Sequence, residues 1–183
     1  ATLLTLWLRF IYSAFGALLA PGLTSAPVLV YASKLEHNLS QPAAGLQHGL
    51  WGVWERYDTL WYLEIAKYGY QRPDSVVFFP VYPLLLRLIT KVVGQPSAAA
   101  LLLSTVSAFF LFWGFQKLLR LDLPAGVVNK AVILYAVWPA SFVFFAGYPD
   151  SLLAALIVWS VYFARVGGWW CAGLLGCLAG LTK

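Results

Sequence analysis

Long apolar runs separated by short polar junctions dominate the chain, and they predict membrane-spanning helices. A helix needs about 20 mostly apolar residues to cross a bilayer, where its backbone groups must be paired internally. The runs lie at about residues 3–31, 97–118, 129–147, 151–165 and 169–183. The pattern therefore predicts an all-α integral membrane protein with about five transmembrane helices, which form a single transmembrane domain over residues 1–183.

Prolines and glycines modify three of these runs. Pro21 and Pro27 interrupt the first run, so that helix is expected to be bent or broken, and Pro139 should kink the third run. Gly176 and Gly180 are spaced four residues apart in the last run, which is the spacing of closely packed membrane helices.

Residues 32–96 interrupt the apolar pattern and hold most of the acidic side chains of the chain. Residues 58–68 have the spacing of a short amphipathic helix that Gly69 ends. Residues 82–93 form a second helix that is too short and too charged to span. Both helices are predicted to lie in the plane of the membrane within one outer loop.

The basic residues predict the orientation of the chain. Lysine and arginine favour cytoplasmic loops, and Arg9 near the first run therefore indicates a cytoplasmic N-terminus. If both short helices stay on the outer side, the basic residues between the later apolar runs fall on the same side of the membrane as Arg9. These residues are Lys117, Arg120, Lys130 and Arg165. The loop 32–96 and the junction 148–151 then share the outer side.

Composition agrees with a membrane protein and excludes several function classes. The chain is 61% hydrophobic and 10% charged, whereas soluble domains carry about 25% charged residues. The net charge of +5 is scattered over helix ends, so binding of nucleic acid is not indicated. Neither a disulfide between Cys171 and Cys177, which lie on one predicted helix, nor a metal site is indicated. No cofactor is expected.

Three motifs, in order along the chain, resemble the PIG-V type mannosyltransferase family. WERYDTLWYLEIAKYGY followed by VVFFPVYPLLLRLI is similar to the first outer loop of that family, with its Trp-Asp pair and its Phe-Phe-Pro-x-Tyr-Pro motif. WPASFVFFAGYPDSLLAAL resembles the later Tyr-Ser-Glu-Ser segment, and GWWCAGLLGCLAGLTK resembles a glycine-rich helix that ends in Leu-Thr-Arg. The family's two carboxylates appear here as Asp58, after Tyr57 in place of Trp, and as Asp150.

The resemblance implies a GT-C glycosyltransferase fold, with two interfacial helices and an acidic catalytic residue in the first outer loop. It implies transfer of a sugar from a polyprenyl-phosphate donor to a lipid-linked or glycan acceptor, with inversion of the anomeric centre. A multi-pass protein of the bacterial plasma membrane is expected, in contact with membrane lipids. Family members are usually much longer, and Lys183 closes an apolar run without a tail, so the sequence is expected to be a fragment.

Asp58 is the candidate catalytic base, and Asp150 is the candidate that orients the base or the acceptor. The candidate substrate-binding residues are Glu55, Arg56, Trp61, Arg72, Tyr82 and Arg87, whose cations suit a phosphate and whose aromatic rings suit a sugar.

Each candidate also has a purely structural interpretation. Asp58 and Asp150 could each cap a helix. Glu64 is expected to form a solvated pair with Lys67, and Arg87 and Lys91 to meet lipid headgroups.

The alternative function is a shortened, inactive homologue that serves as a structural subunit of a larger membrane complex. It shares every motif with the enzyme, so the sequence alone leaves both open.

Overall fold

The longest of the described helices, α4, covers Pro96–Leu119 and is contacted by most of the others. The computed structural model describes residues 1–19, 50, 52–55 and 57–183. Within these ranges the remaining α-helices are α1 (Thr2–Leu19), α2 (Asp58–Tyr68), α3 (Val81–Val93), α5 (Ala125–Ala136), α6 (Asp150–Arg165) and α7 (Trp169–Gly180). Short 3-10 turns cover Gly52–Trp54, Pro73–Val77 and Pro139–Phe144, and no strand occurs in the described part.

Two residues explain where helix α4 begins. Pro96 occupies the first helical position, where a missing N–H costs nothing. The Gln95 side chain accepts a hydrogen bond from the Ala98 amide at 2.6 Å and so caps the helix. Of the described helices, α4 alone is both long and apolar enough to cross a bilayer, whereas α1, α5 and α7 are apolar but shorter. The number of spanning helices therefore stays a prediction.

The third predicted helix, 129–147, is wrong as a continuous element. Helix α5 ends at Ala136, and Pro139 begins a separate 3-10 turn. Proline lacks the N–H that would continue the ladder, and it forces Trp138 into an extended conformation with ψ of 138°. The Ser141 hydroxyl donates to the Tyr135 carbonyl at 2.6 Å, which pairs an oxygen that the break leaves free.

Two hydrophobic clusters lie along α4. Near its start, α2 and α3 pack against it through residues that include Leu63, Tyr82, Leu86 and Leu103. Farther along, α1, α5 and α6 pack around Leu111 and Phe112. Each fully buried large side chain contributes about 1.5–3 kcal/mol, so the first cluster fixes the outer-loop helices onto the bundle. We call the end where α4 begins the loop end, and the end where it stops the junction end.

Helices α6 and α7 form an antiparallel pair that returns the chain to the loop end. The Ser160 hydroxyl donates to the Ala172 carbonyl at 2.7 Å, and a Cβ added at Gly176 would lie 3.3 Å from the Ser160 Oγ. Gly176 thus packs closely, as predicted, whereas a Cβ at Gly180 would meet no atom within 4 Å. The predicted bend at Pro21 and Pro27 lies outside the described residues.

Candidate functional site

Asp58 and Asp150 lie together at the loop end, each as the first residue of a helix. Burial raises the pKa of the Tyr62 hydroxyl, and the negative charges of Asp58 and Asp150 raise it further. Both carboxylates therefore lie near this hydroxyl. Residues 92 positions apart are thereby brought to one place, since α2 docks beside the start of α6.

A close contact between Thr59 and Gly147 holds this arrangement. The buried Thr59 hydroxyl donates to the Gly147 carbonyl at 3.3 Å. A Cβ added at Gly147 would lie 2.9 Å from Thr59 Cγ2 and 3.3 Å from Ala100 Cβ. Glycine leaves room for α2, α4 and the segment before Asp150 to meet, and neither Thr59 nor Gly147 was singled out by sequence.

Neither carboxylate residue is the cap of its helix, so the capping prediction is wrong for both. The cap positions are Tyr57 and Pro149, and neither has a capping side-chain hydrogen bond. Asp58 is exposed in the first turn of α2, where its charge still favours the helix dipole. Tyr57 is the only non-glycine residue in the described ranges with positive φ, at 50°, a strained conformation that tends to cluster at functional sites.

Asp150 has a partner that the sequence analysis missed. Lys183 Nζ lies 2.8 Å from Asp150 Oδ1. The backbone sets this contact, because the Val81 amide donates to the Leu181 carbonyl at 3.1 Å and Thr182 is buried. The Leu-Thr-Lys end of the glycine-rich motif was the available signal.

Tyr82 is fully buried, so it cannot stack on a sugar, and the prediction of this role for it is wrong. Its ring meets that of Tyr62 edge to face, with centroids 4.9 Å apart. Burial raises the pKa of Tyr82, and the charge of Asp150 adds to the shift. Its hydroxyl lies beside Ser104, yet no described group meets it with hydrogen-bonding geometry. Tyr82 therefore supports the site from beneath.

Glu64 is buried, so the prediction of a solvated carboxylate is wrong. Its Oε1 lies 4.0 Å from Arg72 Nη1, and burial raises the pKa of Glu64 despite the opposing effect of Arg72. The Arg72 guanidinium also lies over Trp61, 5.6 Å from the ring centroid, and Trp61 stacks with Phe78. Arg72 and Trp61 thus fix the loop that follows α2.

The remaining candidates lie in different surroundings. The Glu55 carboxylate accepts a hydrogen bond from the Ser97 hydroxyl in the first turn of α4. Arg87 is exposed on α3, on the same face as the exposed Leu84 and Leu88. Arg56 lies outside the described residues.

An open cavity of about 280 Å³ lies in the loop between α2 and α3. Its walls are Tyr70, Val76, Phe78, Phe79 and Pro80. The Tyr70 hydroxyl donates to the Phe78 carbonyl at 2.8 Å, which closes the loop around it. The walls are mainly aromatic and apolar, so the cavity suits an apolar ligand better than a charged one.

Arg9 points into the bundle, and the cytoplasmic N-terminus inferred from it stays a prediction. Its Nη1 donates to the Phe145 carbonyl at 2.6 Å, and the guanidinium lies 5.7 Å from the centroid of the Trp54 ring. In a continuous helix the amide four residues on would pair with Phe145, but that residue is Pro149, which has no N–H. Arg9 supplies the donor and links α1 to the segment before Asp150.

A family model described as mannosyltransferase (PIG-V) matches residues 40–183. The chain belongs to this family. The matched region includes Asp58, Asp150 and Lys183, whereas Arg9 precedes it.

Several relatives in the PIG-V family carry the name GPI alpha-1,6-mannosyltransferase 2. The mouse protein is 31% identical over 151 residues, which are 76% of this chain and 31% of the relative. The Cricetulus griseus protein is 32% identical over 145 residues, 73% of this chain and 29% of the relative. The human protein is 30% identical, with the same coverage. The chain thus spans less than a third of the length of these relatives. No solved structure matches it.

Proposed function

We propose that the protein is a membrane glycosyltransferase, mannosyltransferase-like, that transfers a sugar from a polyprenyl-phosphate donor to a lipid-linked or glycan acceptor at the outer membrane face. The observation that carries this proposal is the PIG-V family match over residues 40–183, which contains both site carboxylates. The relatives' names describe mannose transfer, and family membership favours an enzyme over the alternative of an inactive subunit.

In the proposed reaction an acceptor hydroxyl attacks the anomeric carbon of the donor. Asp58 accepts the hydroxyl proton, the bond from the anomeric carbon to the phosphate oxygen breaks, and polyprenyl phosphate leaves. Its exposed carboxylate in the first turn of α2 supports this role, since a general base must reach the acceptor directly. Attack opposite the leaving group inverts the anomeric centre.

Asp150 positions the acceptor in this proposal. Its side chain is 30% exposed and is held by Lys183, so it keeps one carboxylate oxygen for an acceptor hydroxyl. Burial and the two carboxylates raise the pKa of Tyr62, which therefore stays protonated beside them at neutral pH.

The membrane arrangement is part of the same proposal. A GT-C-like N-terminal module would have α2 and α3 in the membrane plane, in the bacterial plasma membrane, with a cytoplasmic N-terminus. The exposed face of α3 supports this placement, since it carries Leu84, Leu88 and Val92 beside Arg87 and Lys91. These two cations would meet lipid headgroups.

Asp58→Asn tests the base. Asparagine keeps the shape of the side chain but cannot accept the proton, so transfer should fall by about 10²–10⁴-fold. Transfer of labelled mannose from a polyprenyl-phosphate donor by the purified full-length protein is the measurement. Asp74→Asn is the matched control, because Asp74 is exposed in the same loop outside the site.

Near-normal transfer by Asp58→Asn, with expression equal to wild type, would refute Asp58 as the base. Absence of transfer by the wild-type protein together with its native membrane partners would refute the enzyme itself. The structural-subunit function would then replace it.

A further inference from the structure

The Lys183–Asp150 ion pair uses only part of the hydrogen-bonding capacity of its cation. The Lys183 side chain is 46% exposed and that of Asp150 is 30% exposed. An ammonium has three N–H donors, and the bond to Asp150 Oδ1 uses one of them. Two donors therefore remain at the loop end, next to a carboxylate of the site.

The residues before Lys183 are fixed by their contacts. The Thr182 hydroxyl donates to the Leu178 carbonyl at 2.7 Å, and Thr182 itself is fully buried. The Leu181 carbonyl accepts from the Val81 amide at the start of α3. The lysine is thus held between the beginnings of α3 and α6.

Three described arginines are engaged elsewhere. Arg72 is held by Glu64 and Trp61, and Arg9 by the Phe145 carbonyl. Arg165 forms a two-bond pair with Asp122 at the junction end. Lys183 contacts a site carboxylate, with its Nζ 2.8 Å from Asp150 Oδ1.

A buried polar atom beside this pair also favours a polar ligand here. The Ser151 hydroxyl, in the residue after Asp150, is fully buried and lacks a hydrogen-bond partner among described groups. The start of α6 also presents unpaired amides that favour an anion.

We propose that Lys183 binds the phosphate group of the lipid-linked sugar donor. This inference rests on the proposed function, because it assigns the ligand of Lys183 to the donor of that reaction. The leaving group of the transfer is a phosphate, so a cation at this position would also stabilise the charge that develops on it.

Binding of farnesyl phosphate to the purified full-length protein in phosphatidylcholine nanodiscs tests the proposal. Lys183→Gln should weaken this binding by roughly ten- to a hundredfold, as expected for loss of a charged hydrogen bond. Lys183→Arg should retain most of it, and farnesol, which lacks the phosphate, should bind equally to all variants. Lys130→Gln, an exposed lysine toward the junction end, is the control and should bind like wild type.

Substituting Asp150 tests whether Lys183 contacts the ligand or only forms a structural ion pair. Asp150→Asn removes a negative charge from beside the phosphate, so it should strengthen binding of farnesyl phosphate. Equal weakening by Lys183→Gln and Asp150→Asn would mean that the pair only maintains structure. Unchanged binding by Lys183→Gln would overturn the proposal as well.

Amine labelling of the wild-type protein decides the matter even if Lys183→Gln does not fold. Farnesyl phosphate should slow acetylation of Lys183 but not of Lys130, as measured by mass spectrometry of the digested protein, and no protection would overturn the proposal. Equal protection by nanodiscs containing phosphatidic acid, or by inorganic phosphate, would assign the site to headgroups or free phosphate instead.

The two proposals fail in different ways. Lys183-dependent phosphate binding without sugar transfer would remove the proposed function and leave an anion site. Sugar transfer by the wild-type protein, with phosphate binding unchanged in Lys183→Gln, would support the proposed function and overturn the role of Lys183.

Discussion

Individual charged residues in this protein are positioned by contacts outside their own helices. Glu64 is buried on α2 and reaches Arg72 in the following loop, and Arg9 reaches the Phe145 carbonyl. Tyr57 has a strained backbone immediately before Asp58 although its side chain is 73% exposed. Packing of its own side chain therefore does not offset the strain, and the docking of α2 maintains it.

Glu64 should make stability depend on pH. Burial raises the pKa of Glu64 above its ordinary value of 4.5. The folded state then holds the proton more tightly than the unfolded state, so wild-type stability should fall as pH rises through and above that range. Glu64→Gln removes this loss. The melting temperature of Glu64→Gln minus that of wild type should therefore increase between about pH 4 and about pH 7.

Asp74→Asn is the control for this pH series, since Asp74 is exposed. A melting-temperature difference between Glu64→Gln and wild type that stays constant with pH would contradict the prediction.

At the scale of helices, two contacts dock the outer loop and α1 onto the segment that leads to Asp150. Thr59 on α2 packs so closely against Gly147 that no Cβ would fit there. Arg9 on α1 donates a hydrogen bond to the carbonyl of Phe145, which lies two residues before Gly147. Both contacts lie where Pro139 and Pro149 prevent a regular helix. The irregular segment exposes backbone carbonyls, and neighbouring helices supply their donors.

Gly147→Ala should separate α2 from this segment. Its Cβ would lie 2.9 Å from Thr59 Cγ2, and overpacking of this kind costs about 1–3 kcal/mol. The melting temperature should fall, and sugar transfer should fall with it. Adding Thr59→Ser removes the methyl group and should restore part of the loss.

Gly173→Ala is the matched control, because a Cβ there meets nothing within 4 Å inside α7. Alanine is the better helix former by about 1 kcal/mol, so this variant should be slightly more stable than wild type. Equal melting temperatures for Gly147→Ala and Gly173→Ala would contradict the docking role.

Arg9→Met should destabilise the fold by leaving the Phe145 carbonyl without its donor. A hydrogen bond to a charged group contributes about 1.5–3 kcal/mol, and each kcal/mol corresponds to about 2–4 °C in a chain of this size. Thermal unfolding of the solubilised protein is the measurement. Lys117→Met, an exposed cation at the junction end, should have little effect, and an equal effect of both variants would refute the role of Arg9.

At the scale of the whole molecule, the loop end carries the site and the junction end carries a cluster of exposed cations. Asp58, Asp150 and Lys183 lie at the loop end, and Lys117, Arg120 and Arg165 lie at the junction end. Arg165 forms its ion pair with Asp122, and Arg165 lowers the pKa of that carboxyl. By the positive-inside tendency, the junction end should face the cytoplasm.

Single cysteines at the two ends of the bundle test this orientation. In a background with Cys171→Ser and Cys177→Ser, Lys91→Cys should react with an impermeant reagent in intact cells. Arg120→Cys should react only after permeabilisation. Labelling of Arg120→Cys but not of Lys91→Cys in intact cells would reverse the topology.

The sequence by itself determined the properties that depend on local pattern. Apolar runs indicated most helices, and contiguous motifs indicated the PIG-V family with Asp58 and Asp150. The pattern of residues 58–68 indicated the bounds of α2, but the amphipathic character predicted for it is wrong, because seven of its eleven residues are buried. These signals arise within a few helical turns, so no three-dimensional contact is needed to recognise them. Proline chemistry likewise located the irregularity at Pro139, although it predicted a kink and not the helix break and 3-10 turn found there.

Only the tertiary structure decided which polar groups meet. Lys183 pairs with Asp150 from 33 residues away, and Arg9 bonds Phe145 from 136 residues away. Glu64 and Tyr82 become buried because α2, α3 and α4 pack together, an event that no local spacing encodes. Burial and pairing depend on the sum of long-range packing contacts, and residues with the same local pattern can therefore be exposed in one fold and buried in another.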